Sequence, residues 1–199
     1  MSRFESSRFA RNSNVMNADV LKSACHTLGW KYSIKDNLLT ISDVNQKQNM
    51  YGEYVLQLNL TTNQVSYNTY YTPNAAQKVV ELQTEFYKLN AEYARESLIQ
   101  SFKRKGFTYL SNDKFNPTQE EVYSFFMVGR SKDKNEDEPL AQIKFIILTD
   151  GTIVTDSDYI PNDVNEKAHA AMDDIESLLG NERVMTQKEV PSKYLHKMT

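Results

Sequence analysis

Ile143-Lys144-Phe145-Ile146-Ile147-Leu148-Thr149-Asp150-Gly151-Thr152-Ile153-Val154-Thr155 is the stretch on which the fold turns. Two β-rich runs, 143–148 and 152–155, flank Asp150-Gly151, a pair favoured where a strand reverses, because both residues tolerate the backbone angles of tight turns. An antiparallel hairpin is predicted. Asn162 or Asp163 then caps a helix in which Val164, Ala168, Ala171, Met172, Ile175, Leu178 and Leu179 recur at helical spacing, and Gly180 stops it. The result is a ββα unit over 140–199. It is near the lower size at which a single core is stable, so it is expected to lean on the rest of the chain, on another subunit or on a different protein.

Upstream, Ser131-Lys132-Asp133-Lys134-Asn135-Glu136-Asp137-Glu138-Pro139 is charged, has no apolar residue and ends in proline. It reads as a linker between a first domain, 1–130, and the ββα unit. Within the first domain the residues up to Asn14 are polar, with Arg3, Arg8 and Arg11 around Phe4 and Phe9, suiting an edge strand or a docking arm. Asn17 caps a short helix carrying Val20, Leu21, Ala24, Cys25 and Leu28, with Gly29 as its stop. Strand-like runs follow at 38–41, 54–60 and 65–71, the last two joined by Thr61-Thr62-Asn63-Gln64 as a hairpin.

After Pro73-Asn74, Val79, Leu82, Phe86, Leu89, Tyr93, Leu98 and Phe102 make the stripe of a long helix reaching Lys105, closed by Gly106. Two further strands, 107–110 and 123–128, complete the domain. The fold class is therefore α+β: an antiparallel sheet covered by one short and one long helix, followed by a small ββα module.

Met1-Ser2-Arg3-Phe4, the run from Leu21 to Leu28-Gly29-Trp30, the hairpin around 54–70, and Tyr93-Ala94 followed by Lys105-Gly106-Phe107 together resemble the Ycf35 (DUF1257) family over about 1–130. The second unit, with 143–147, Asp150-Gly151, Leu179-Gly180, Thr186 and Tyr194, resembles DUF2997, a different family of unknown function. Genes of the two families are often neighbours, and such neighbourhoods often contain an AAA-type ATPase. The resemblance thus implies a protein partner of that class and carries no activity. Members of the second family often have a cysteine where this chain has Ala168, so no redox or metal role attached to that cysteine is expected here.

The residues argue against several kinds of chemistry. Six glycines without a Gly-rich run leave no phosphate-cradling loop. One cysteine and scattered His26, His169 and His196 do not compose a zinc site. Cys25 and His26 are adjacent in a helix and point about 100° apart, so they are not a nucleophile–base pair. Asp150, Asp156, Asp158 and Asp163 lack the spacing of a calcium loop. Residues 1–139 hold 17 Lys+Arg against 16 Asp+Glu, and 140–199 hold 6 against 10, so neither half has the basic excess of a phosphate-backbone trap. Nucleic acid is a disfavoured partner.

What remains is surface. Tyr54, Tyr67, Tyr70 and Tyr71 crowd the first sheet, where they either pack beneath the long helix or grip a partner. Lys103, Arg104 and Lys105 complement the negative end of the helix dipole or bind an anion. These seven residues are the candidate interaction surface. With no cofactor, metal or catalytic set expected, the predicted role is a non-catalytic accessory protein of a larger assembly. The alternative is a single-stranded nucleic-acid or nucleotide binder using the tyrosines and the basic cluster. A lone cysteine and the lack of a long apolar run point to a cytoplasmic setting, or to plastid stroma or host cytoplasm for an organellar or viral gene.

Overall fold

A computed structural model describes residues 4–9, 17–43, 54–69, 72–131, 140–157, 160–179 and 186–187. Along the chain these form β1 (Phe4–Arg8), α1 (Ala18–Thr27), β2 (Lys31–Lys35), β3 (Leu38–Asp43), β4 (Leu56–Asn59), β5 (Gln64–Asn68), α2 (Ala75–Arg104), β6 (Thr108–Ser111), β7 (Glu121–Gly129), β8 (Ala141–Leu148), β9 (Ile153–Ser157), α3 (Asn162–Leu179) and β10 (Thr186–Gln187). The fold is α+β. Two five-stranded sheets, in the orders β1-β5-β4-β3-β2 and β10-β9-β8-β7-β6, are antiparallel except for the short parallel β10.

Local chemistry places each element. The Asn17 Oδ1 accepts the backbone N–H of Asp19 at 2.9 Å and of Val20 at 3.2 Å, satisfying two donors that the first turn of α1 leaves open. β2 was not expected. Its signal is Asp36-Asn37, both in the left-handed region at φ 48° and 63°, which joins β2 to β3 as a tight hairpin of the kind Asp and Asn favour.

The second hairpin turns differently from a two-residue Asp-Gly connection. Leu148 N–H donates to Thr152 O at 2.8 Å, so Thr149, Asp150 and Gly151 form a three-residue loop. Only Gly151 takes a positive φ, and Asp150 Oδ1 receives the Thr152 N–H at 2.9 Å.

α2 is the spine. Its 30 residues extend roughly 45 Å at 1.5 Å each. Ala75, Val79, Leu82 and Phe86 enter a first core with Phe9, Leu21, Trp30, Leu39, Ile41, Leu56, Leu58 and Val65. Ala91, Ala94, Leu98, Ile99 and Phe102 enter a second core with Phe125, Met127, Phe145, Ile147 and the α3 residues Val164, Ala171 and Ile175.

The expected domain division at 131–139 is thereby corrected. That segment joins β7 to β8, which pair from Tyr123–Ile147 to Gly129–Ala141 in one sheet, with Phe125 and Phe145 stacked at 5.6 Å between ring centroids. The strands expected at 107–110 and 123–128 consequently belong with the second sheet. The change from one core to the other falls within α2, because a 30-residue amphipathic helix is long enough to cover two sheets in succession.

The two halves repeat one plan. At the end of α1, the N–H groups of Leu28, Gly29 and Trp30 donate to Ala24, His26 and Cys25 O. At the end of α2, those of Lys105, Gly106 and Phe107 donate to Ser101, Lys103 and Phe102 O, the same pattern 77 positions on. Gly29 and Gly106 both take positive φ, 70° and 87°. Each helix then feeds a four-stranded meander, and the closing helix of each half follows a Tyr-x-Pro-Asn run, at Tyr71 and at Tyr159. Ala75, Val79, Leu82 and Phe86 of α2 share their spacing with Val164, Ala168, Ala171 and Ile175 of α3. α2 closes the first half and opens the second.

Candidate interaction surface

The register of the first sheet sorts its side chains. Tyr32 pairs with Ile41, Ile41 with Leu56 and Leu56 with Tyr67, so these four share the face that carries the core. Tyr67 is half-buried and packed on that core, and Tyr54 is also half-buried. These two are therefore largely built into the structure. Tyr70 and Tyr71 lie outside the described residues.

The basic cluster sits elsewhere, at the end of α2 that serves the second core. Lys103 and Arg104 are exposed, and Lys105 Nζ lies 2.9 Å from Asp174 Oδ2 on α3, tying the two helices together. Of the five expected residues that are described, Tyr54 and Tyr67 lie with the first core and Lys103, Arg104 and Lys105 at the end of α2 that serves the second.

A site that the sequence reading missed is the edge strand β2. All five of its residues are exposed. Tyr32 and Ile34 point to the core face, yet they are 39 % and 36 % exposed. Among the described residues, β2 ends its sheet. The equivalent strand of the second half, β6, ends the other and carries Leu110, 48 % exposed. The sequence signal was present in the alternation of Lys31, Tyr32, Ser33, Ile34 and Lys35 before Asp36-Asn37.

The two outer sheet faces differ in chemistry. On the first, Gln57 Nε2 donates to Thr40 Oγ1 at 3.2 Å, beside Gln64 and Ser66. On the second, the corresponding rows hold Leu110, Phe126, Ile146 and Val154, with Lys144 opposite Asp156. A polar outer face suits water, whereas the apolar one extends the surface available for protein contact.

The remaining reactive groups do not assemble. Cys25 is buried and burial pushes its thiol up to about 11, while His26 beside it is exposed. Asp150 is engaged with its own loop, and Asp163 Oδ1 accepts the Ser131 hydroxyl at 2.8 Å. Asp156 is exposed on β9 and Asp158 lies outside the described residues. Among the described residues, no three His, Cys, Asp or Glu side chains converge as a metal site. No described helix is long and apolar enough to cross a membrane.

A polar cleft of about 390 Å³ lies where the middle of α2 meets the second hairpin, lined by Tyr87, Gln119, Glu120, Leu148, Thr149 and Asp150. Its walls are held by Thr149, whose hydroxyl donates to Gln119 O at 2.7 Å and whose N–H donates to Glu120 O at 2.7 Å. Comparison of the chain with protein-family models, with curated proteins and with solved structures returned no match.

Proposed function

We propose that this chain is a non-catalytic accessory protein that receives a strand of a protein partner along β2. An exposed edge strand presents a row of backbone donors and acceptors on which another chain can pair, and natural proteins usually blunt such edges. The observation that carries the reading is β2 itself: five exposed residues on a strand that ends its sheet among the described residues, with Tyr32 and Ile34 forming an apolar step along it. Lys35 at its end favours an acidic or neutral strand over a basic one. The resemblance to Ycf35 and DUF2997 proteins suggests an AAA-type ATPase as the partner class. The nucleic-acid alternative has less support, since the basic cluster and the tyrosines belong to different halves and Tyr67 is packed on its core.

The test is affinity purification with cross-linking from native extract, using the wild type and a Tyr32→Glu/Ile34→Glu variant of unchanged circular dichroism. A stoichiometric partner recovered by the wild type, lost by the variant and rebinding in purified form is expected. Identical recovery by both proteins, or none by either, would refute docking at β2.

A further inference from the structure

We propose that the second half holds a binding pocket for a small aromatic molecule bearing one hydrogen-bonding substituent, set between β9 and α3. This is independent of the docking edge. The pocket is a cavity of about 130 Å³ with a floor of Phe102, Phe145, Ile153 and Met172. Ser157, Asn165 and His169 stand at its rim, all exposed. Among the described residues, the side chains of these three make no hydrogen bond.

The repeated plan of the two halves shows how the residues around the space differ from their counterparts. Register counted from Tyr32 and Tyr109, each three residues past its helix-ending glycine, sets Leu58–Val65 of the first sheet against Phe145–Thr155 of the second. Leu56–Tyr67 is set in the same way against Ile143–Ser157. Equal core spacing sets Val79 and Leu82 against Ala168 and Ala171. Four core-facing positions that are Val65, Tyr67, Val79 and Leu82 in the first half are Thr155, Ser157, Ala168 and Ala171 in the second. Each is smaller or more polar than its counterpart. Phe102, Phe125 and Phe145 stand where Cys25, Leu39 and Leu58 stand in the first half, so the second half fills its core with rings, and Phe102 and Phe145 supply the pocket with aromatic walls.

Protein interiors rarely keep a void larger than a water molecule. A cavity of about 150 Å³ lined by apolar side chains takes up benzene, so the present one matches a single six-membered ring. Its chemistry narrows the ligand further. The floor is apolar and aromatic, which favours a ring. The rim offers an imidazole, an amide and a hydroxyl, which favour a hydroxyl or similar group on that ring. No Lys or Arg is among the described lining residues, so a phosphate or carboxylate finds no counter-charge there.

The experiment is a titration of the full chain with phenol, toluene and indole, followed by amide chemical shifts and thermal midpoint. Two filling variants, Ala168→Leu and Thr155→Val/Ala168→Val, are titrated in parallel, the second placing first-half side chains in the second half. The expected result is saturable shifts confined to β9 and α3 with phenol, a raised midpoint, and binding weakened at least about tenfold in either folded filling variant. His169→Ala is expected to remove the preference for phenol over toluene. Absence of saturable shifts with all three probes, or shifts unchanged in both filling variants, would overturn the proposal and leave the space as a packing void. Equal loss of phenol and toluene in His169→Ala would overturn the role given to the rim.

Discussion

Replacing Gly151 with alanine tests whether the second hairpin is seated on the spine helix. Gly151 holds φ at 83°, and a Cβ there would run into the side-chain amide of Asn90 on α2. Asn90 is wholly buried and donates through Nδ2 to Asp150 O at 2.9 Å, so swinging it aside breaks that hydrogen bond. Two costs therefore add. The left-handed backbone costs a residue with a Cβ about 1–2 kcal/mol, and a buried amide deprived of its partner costs about 1–3 kcal/mol. The sum is about 2–5 kcal/mol.

Gly106→Ala is the control, since its φ of 87° matches but nothing lies within 4 Å of the added methyl; only the backbone cost of about 1–2 kcal/mol is expected. In an Asn90→Ala background the obstruction is gone, and Gly151→Ala should fall to that same cost. The coupling between positions 90 and 151 should therefore exceed about 1 kcal/mol. Urea unfolding followed by circular dichroism and by Trp30 fluorescence measures the wild type and the four variants. Trp30 is the chain's only tryptophan and is buried in the first core, so it should unfold with the rest if α2 couples the halves. Equal costs for Gly151→Ala and Gly106→Ala in the wild-type background would refute the close approach. An unmoved Trp30 transition would refute the coupling through α2.

Asn17→Ala should lower stability by about 1 kcal/mol, read by urea midpoint, because two N–H groups of α1 lose their acceptor. Cys25 should resist thiol reagents in the folded protein at neutral pH and react at once in denaturant. Its folded thiol keeps its proton to about 11, whereas the free group loses it near 9.0, so stability should fall as pH rises through that window. Cys25→Ala should remove this share of the slope, and an unchanged slope would contradict the burial argument. Lys105→Gln should change stability by less than about 1 kcal/mol, because the Lys105–Asp174 pair is about one-third exposed. That difference should shrink in about 1 M salt, measured by the same urea titration.

Features coded by neighbouring residues were legible in the chain itself. Asn17 before Val20 and Leu21, Gly29 and Gly106 after helical stripes, and the β-rich runs around Asp150-Gly151 act over a few residues, and each appears in the fold close to where it was read. Lys31 to Lys35 carry only a weak strand signal, since two apolar residues between lysines make a short alternation. The tertiary structure alone decided which strands are neighbours. The charged run at 131–139 looks like a boundary, yet β7 and β8 on either side of it pair along their lengths, a non-local choice made by Phe125, Met127, Ile143 and Phe145 meeting across the sheet. The candidate surfaces were less legible for the same reason. Whether Tyr67 grips a partner or fills a core, and whether Thr155 and Ala168 leave a cavity, depends on how far a helix reaches over a sheet, and the periodicity of either element carries no record of that reach.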